Sequence, residues 1–175
     1  VGPVIRINPN KSHVADEPEP LPRRVVDSDA RAPIVLGRVS RHHLGHALRV
    51  AGLPAQARVL RGRLAAVLPL PLRDTALVLT SELFTNAITH SRSGGAGGEV
   101  VVTVHRFPGR VQVKVIDQGP RGEGGSSPHL CPVDPEREGG RGLRLVDAEA
   151  SRWGTVHDGP RTTVWFELDR PRARV

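Results

Sequence analysis

The 175-residue chain carries a formal charge of +7, from 25 basic and 18 acidic residues, with 38% hydrophobic residues and a single cysteine. Its length suits one domain and is short for two plus a linker. Cys131 alone excludes an intrachain disulfide and a cysteine-rich metal site, and no apolar run approaches the roughly 18 residues of a membrane span.

The chain opens without the apolar block of a signal peptide, so the expectation is a soluble protein of a reducing cytoplasm. Lys11 and Lys114 are the only lysines, and the Arg, Ala, Gly and Pro bias fits a GC-rich bacterial genome. The aromatic residues are Phe84, Phe107, Phe166, Trp153 and Trp165, so the core must be mainly Val, Leu, Ile and Ala. Scattered arginines and few aromatics argue against nucleic acid as the partner of this basic surface; an acidic protein or a polyphosphate ligand accounts for it equally well.

Residues 1–40 combine several prolines, mixed charge and no sustained period, and read as a tail. Residues 41–170 hold the folded domain, and residues 171–175 a basic C-terminal tail. His46 to Val50 reads as a short edge strand before the turn at Gly52-Leu53-Pro54. From Ala55 to Leu68, apolar residues at three- and four-residue spacing predict an amphipathic helix, stopped by Pro69 and Pro71. A second helix is expected from an N-cap at Asp74 to about His90, with Ser91 to Gly98 ending it.

Val100 to His105 and Arg110 to Ile116 predict two strands joined through Pro108-Gly109. Residues 118–142 form a long stretch rich in Gly, Pro, Ser and charge, which reads as a functional loop. Leu143, Val146 and Ala150 mark a third helix. Ser151 to His157 and Thr162 to Leu168 make a closing hairpin around Asp158-Gly159-Pro160. The fold class expected is therefore an α/β (α+β) two-layer sandwich, with a mixed, mainly antiparallel sheet and about three helices on one face.

Three groups of residues could carry chemistry. Glu82 and Asn86 are four apart on a helix, hence on one face: an amide oxygen is a hard ligand for Mg²⁺, and a carboxylate can take a proton from a hydroxyl. The same pair equally describes an exposed polar face. Asp117 ends a buried-looking strand before Gly119; it could accept from the exocyclic amine of adenine, or simply open a turn. Gly139-Gly140-Arg141-Gly142 opens the third helix, where free backbone N–H groups favour phosphate, although a glycine cluster also suits a plain loop ending.

Together and in this order, Ser81-Glu82-Leu83-Phe84-Thr85-Asn86-Ala87 resembles the N box of the GHKL (Bergerat) ATPase superfamily. Asp117-Gln118-Gly119-Pro120 resembles its first glycine box and Gly140-Arg141-Gly142-Leu143 its second. The similarity spans about residues 45–168 and is nearest to the stand-alone bacterial anti-sigma-factor serine kinases. It implies ATP and Mg²⁺ as cofactors: Asn86 as the metal ligand, Asp117, Gly119 and Thr163 on the adenine side, Gly140, Arg141, Gly142 and Leu143 at the phosphates, and residues 118–142 as an ATP lid. Glu82 would be the catalytic base, since sensor histidine kinases usually carry an amide at that place.

The resemblance further implies a serine/threonine protein kinase that regulates transcription, binding a sigma factor and phosphorylating an anti-anti-sigma-type antagonist. Homodimers are common in that group, though no interface signature is legible here. The alternative is a non-catalytic module of the same fold that sequesters a regulator. Two positions depart from the pattern: Arg121 replaces a further glycine of the first box, and Thr89 replaces a frequent basic residue. His90 reads as a helix-end histidine, His129 and Cys131 as too few for zinc, and His42, His43 and His46 as lying in no phosphoacceptor hairpin.

Overall fold

The computed structural model describes Val4–Ile7, residues 44–122 and residues 141–170. Along the chain run β1 (Val4–Ile7), β2 (Leu44–Ala51), α1 (Gln56–Val67), α2 (Arg73–His90), β3 (Glu99–Phe107), β4 (Arg110–Asp117), α3 (Arg141–Glu149), β5 (Arg152–Asp158) and β6 (Arg161–Asp169). A 3₁₀ turn at Leu70–Leu72 leads into α2, and another at Arg92–Gly94 follows it.

The six strands form one sheet in the order β1-β5-β6-β4-β3-β2, and every pairing is antiparallel. The mixed sheet expected from the pattern is thus antiparallel throughout. β2 is an edge strand, as its weak alternation suggested. The opposite edge was not legible: Val4–Ile7, inside the stretch read as a tail, pair with Arg152–Thr155 of β5.

Alternation along β3 and β4 decides which face is covered. Val102 pairs with Val115 and Val104 with Val113, and β6 continues the rows with Val164 and Phe166. Onto this aliphatic face pack Leu60 and Leu64 of α1, Leu79, Leu83 and Phe84 of α2, and Leu143 and Val146 of α3. Phe84 and Phe166 are completely buried, so two of the three phenylalanines sit at the centre. Thr80 is buried among them because its hydroxyl donates to Ala76 O one turn earlier, at 2.7 Å.

The helix starts differ in one detail from expectation. Asp74 is not the N-cap of α2: the helix begins at Arg73 behind Leu72, which makes no side-chain cap bond. The preceding 3₁₀ turn delivers the chain already coiled, and Asp74 sits in the first turn, where its charge suits the helix dipole. Gly109, with φ of 79°, closes the β3–β4 hairpin. On the other face of the sheet, Glu167 is buried but accepts from Arg152 Nε at 2.7 Å and Gln112 Nε2 at 2.8 Å, which offsets its desolvation.

Candidate functional site

Residues 83, 84 and 87 of α2 point into the core, which turns Glu82 and Asn86 toward α3. Both are half-buried, and neither side chain makes a hydrogen bond among the described residues. A decorative polar face would be solvated; this pair is instead pressed against the first turn of α3. A Cβ placed on Gly142 would lie 3.1 Å from Glu82 Oε2, 3.1 Å from Asn86 Nδ2 and 3.2 Å from Glu82 Cβ. Backbone N–H groups in that first turn lack partners within the helix, and the dipole adds positive potential there. A carboxylate, an amide and a helix N-terminus therefore meet at one point.

Core packing and a bond from β5 help to hold α3 in place. Leu143 and Val146 are buried, and Trp153 Nε1 on β5 donates to Asp147 Oδ1 at 2.8 Å.

The second half of the site is the end of β4. Strand alternation puts Asp117 on the helix-covered face, 7% exposed, opposite Thr162 of β6. Its Oδ1 accepts from Gly119 N at 2.6 Å. Burial pushes this carboxyl above its ordinary value, against the opposing pull of the Gly119 and Thr162 backbone N–H groups and the His157 and Arg92 side chains. Such an acid is an acceptor with capacity left for a ligand. Gly119 has φ of 78°, and a Cβ there would fall 1.8 Å from Pro160 O, so the protein itself demands glycine.

The element common to both halves is α2, which packs against β4 and α3. Its C-terminal end is bonded to the turn after Asp117. Arg92 N donates to Gly119 O at 2.8 Å, the Arg92 guanidinium donates to Gln118 O, and Ser93 Oγ accepts from Gln118 N at 2.9 Å while donating to Glu99 O at 2.6 Å.

Of the residues singled out in the sequence, Glu82, Asn86 and Gly142 come together, and Asp117 and Gly119 form the neighbouring turn. Arg141 opens α3, with its side chain outside the described residues; Gly140, His129, Cys131, His42, His43 and residues 123–140 of the expected lid lie outside them too. The side chain of Leu143 is part of the core, so only its backbone is available to a ligand. Thr163 is not on the Asp117 side: it pairs with Ile116 and Val156 on the opposite face of the sheet, and Thr162 is the threonine beside Asp117. Counting alternation back from buried Phe166 and Val164 signals this in the sequence. His90 is exposed in the last turn of α2.

Among the described residues, an antiparallel sheet covered on one face by three helices, with an N-terminal helix turn facing a carboxylate–amide pair that makes no hydrogen bond there and a buried acid at a strand end, is the architecture of a nucleotide-binding domain of the ATPase type. A family profile described as histidine kinase-like ATPase domain matches residues 48–168, most of the chain. The protein belongs to the histidine kinase-like ATPase domain family. The crystal structure of the RsbU and RsbW domains of Rv1364c from Mycobacterium tuberculosis is similar in fold, with a TM-score of 0.51 and 21% identity over 73% of this chain. The present chain covers 33% of that one. No curated protein matches.

Proposed function

We propose that the protein is an ATP-dependent serine/threonine protein kinase of the anti-sigma-factor type, which binds a sigma factor and phosphorylates an antagonist protein. The observation that supports this reading is the Glu82 carboxylate, which makes no hydrogen bond among the described residues and lies one helical turn from Asn86, beside the N-terminal turn of α3. A base for a protein hydroxyl must be free to accept, must lie where phosphate binds, and must belong to a rigid element. Glu82 accepts no hydrogen bond among the described residues, adjoins the helix turn proposed to receive phosphate, and belongs to α2.

Asp117 accepts the adenine amine, and Thr162 and Gly119 shape the pocket around it. Asn86 offers an uncommitted amide oxygen, the hard donor that Mg²⁺ prefers, and the backbone N–H groups from Arg141 onward face the phosphates. Mg²⁺ would supply charge neutralisation on the phosphate oxygens. Glu82 takes the proton of the attacking hydroxyl; the hydroxyl oxygen bonds to the γ-phosphorus as the bridging oxygen departs with ADP. This is catalysis by positioning and electrostatics. No helix among the described residues is long and apolar enough to cross a membrane, and the reading requires none.

The test is isothermal titration of ATP, with and without Mg²⁺, into the protein and its Asp117→Asn variant. Mg²⁺-dependent binding that is lost in the variant supports the pocket. Absence of binding in both sinks the kinase reading and leaves a sequestering module of the same fold. ATP binding without transfer to any hydroxyl-bearing partner would lead to that module as well.

A further inference from the structure

Arg121 breaks the glycine pattern of the first box, and the site as described gives it no role. Its geometry assigns one. The β4 ladder ends at Asp117, paired with Thr162; beyond it, the chain leaves the sheet. The Arg121 guanidinium reaches back to the end of α2, donating from Nε to Ser91 O at 2.7 Å and from Nη2 to Ile88 O at 2.8 Å. These carbonyls belong to the helix terminus, where acceptors lack intrahelical donors and a cation is favoured.

Room for this contact is built in. A Cβ on Gly94 would fall 1.8 Å from Ile88 O and 2.6 Å from Arg121 Nη2, so the 3₁₀ turn after α2 leaves open the path that the guanidinium takes. Arg92 makes the reciprocal tie from the α2 side, to Gln118 O and Gly119 O. The planar fork of arginine can serve two carbonyls at once, which a lysine ammonium does less well.

We infer that Arg121 is a positioning residue of the nucleotide site: it ties the turn after Asp117 to the C-terminal end of α2 and so holds the base-reading carboxylate in register with Glu82 and Asn86. This rests on the ATP-site reading above. It makes Arg121 a residue acting at the base end of the ligand through the protein backbone, and not a phosphate contact.

Two measurements on the full chain test it. The first is titration of Mg²⁺-ATP and Mg²⁺-ADP into wild type, Arg121→Ala, Arg121→Lys and Arg63→Ala, the last an exposed arginine of α1 that controls for lost charge. Loss of two charge-assisted bonds is expected to weaken ATP and ADP by the same factor, about tenfold, with partial recovery in Arg121→Lys and no change in Arg63→Ala. A larger loss for ATP than for ADP would mean direct phosphate contact and overturns the assignment, as does an Arg121→Ala affinity within about twofold of wild type. The second is amide hydrogen exchange without nucleotide, in which Arg121→Ala should speed exchange at Gln118 and Gly119 while core amides of β3 keep their protection. Unchanged exchange at the turn overturns the tie. Should wild type bind no nucleotide, the kinase reading falls, and the exchange result alone decides the tie.

Discussion

Gly142 and Glu82 stand so close that a single methyl group on the glycine would lie 3.1 Å from the carboxylate oxygen. The glycine in the first turn of α3 is therefore set by the side chains of α2 as much as by any ligand. Alanine is the better helix former by up to ~1 kcal/mol; two of the three neighbours are the ends of flexible side chains, and the third, Glu82 Cβ at 3.2 Å, has to give by only a few tenths of an ångström. Gly142→Ala should consequently leave the melting temperature unchanged or slightly raised, while displacing Glu82 and Asn86 by a few tenths of an ångström. Mg²⁺-ATP affinity should fall several-fold in titration; full affinity would show that the pair does not serve the ligand.

Glu82 is half-buried and makes no hydrogen bond among the described residues, so its removal should cost little stability. For Glu82→Ala the expectation is wild-type ATP affinity with phosphoryl transfer reduced by about 10²- to 10⁴-fold, the usual range for a lost general base. Transfer at the wild-type rate, measured with radiolabelled ATP and a partner protein that wild type phosphorylates, would remove Glu82 from the mechanism.

Asp117 makes opposite demands on stability and binding. Because burial raises its pKa above 3.8, the folded state holds its proton more firmly than the unfolded chain. The stabilisation from this linkage is present below the ordinary carboxyl value and is lost as pH rises through the folded value. Asp117→Asn, which keeps an acceptor for Gly119 N, should be as stable as wild type or more so at neutral pH, and the difference should shrink in acid. ATP binding should run the other way: the ionised acid accepts the adenine amine, so affinity declines as pH falls, beginning above the ordinary aspartate range. Calorimetric melting and ATP titration across pH check both signs.

Thr162 and Thr163 offer a test within one dipeptide. Thr162→Ala should weaken ATP binding several-fold, since it faces the Asp117 side; Thr163→Ala, on the opposite face, should leave affinity intact. The reverse pattern would place the ligand on the wrong side of the sheet for every other residue named.

Gly119→Ala combines a left-handed backbone with an overlap against Pro160 O. A destabilisation of roughly 2–4 kcal/mol is expected, seen as a lower denaturant midpoint before nucleotide is added. A stable variant would mean that the β5–β6 turn yields easily.

How much of this was legible in the sequence depended on how each element is encoded. The apolar spacing of Leu79, Leu83 and Ala87 announced α2, and the valine alternation of β3 and β4 announced their hairpin, because local period and burial agree there. Val4–Ile7 gave no such signal: four residues beside proline and charge acquire strand identity only from the β5 edge. Leu72 displaced Asp74 as the α2 boundary because a preceding 3₁₀ turn made a side-chain cap unnecessary. Glu82, Asn86 and Asp117 stood out in the sequence by residue type and spacing, and the fold places the first two beside Gly142 and the third at the end of β4. Arg121 looked like a defect for the same reason that Arg92 went unnoticed: both act by bonding backbone carbonyls, which no residue pattern records.

The bond from Trp153 to Asp147 has a practical side. With two tryptophans and no tyrosine in the chain, near-ultraviolet emission comes from two indoles, and one of them is hydrogen-bonded to the helix whose first turn meets Glu82 and Asn86. Trp165 lies on the opposite face of the sheet, across from Lys114, and supplies an internal reference; a Trp165→Phe variant isolates the other. The protein thus carries an unlabelled optical probe on the strand bonded to α3.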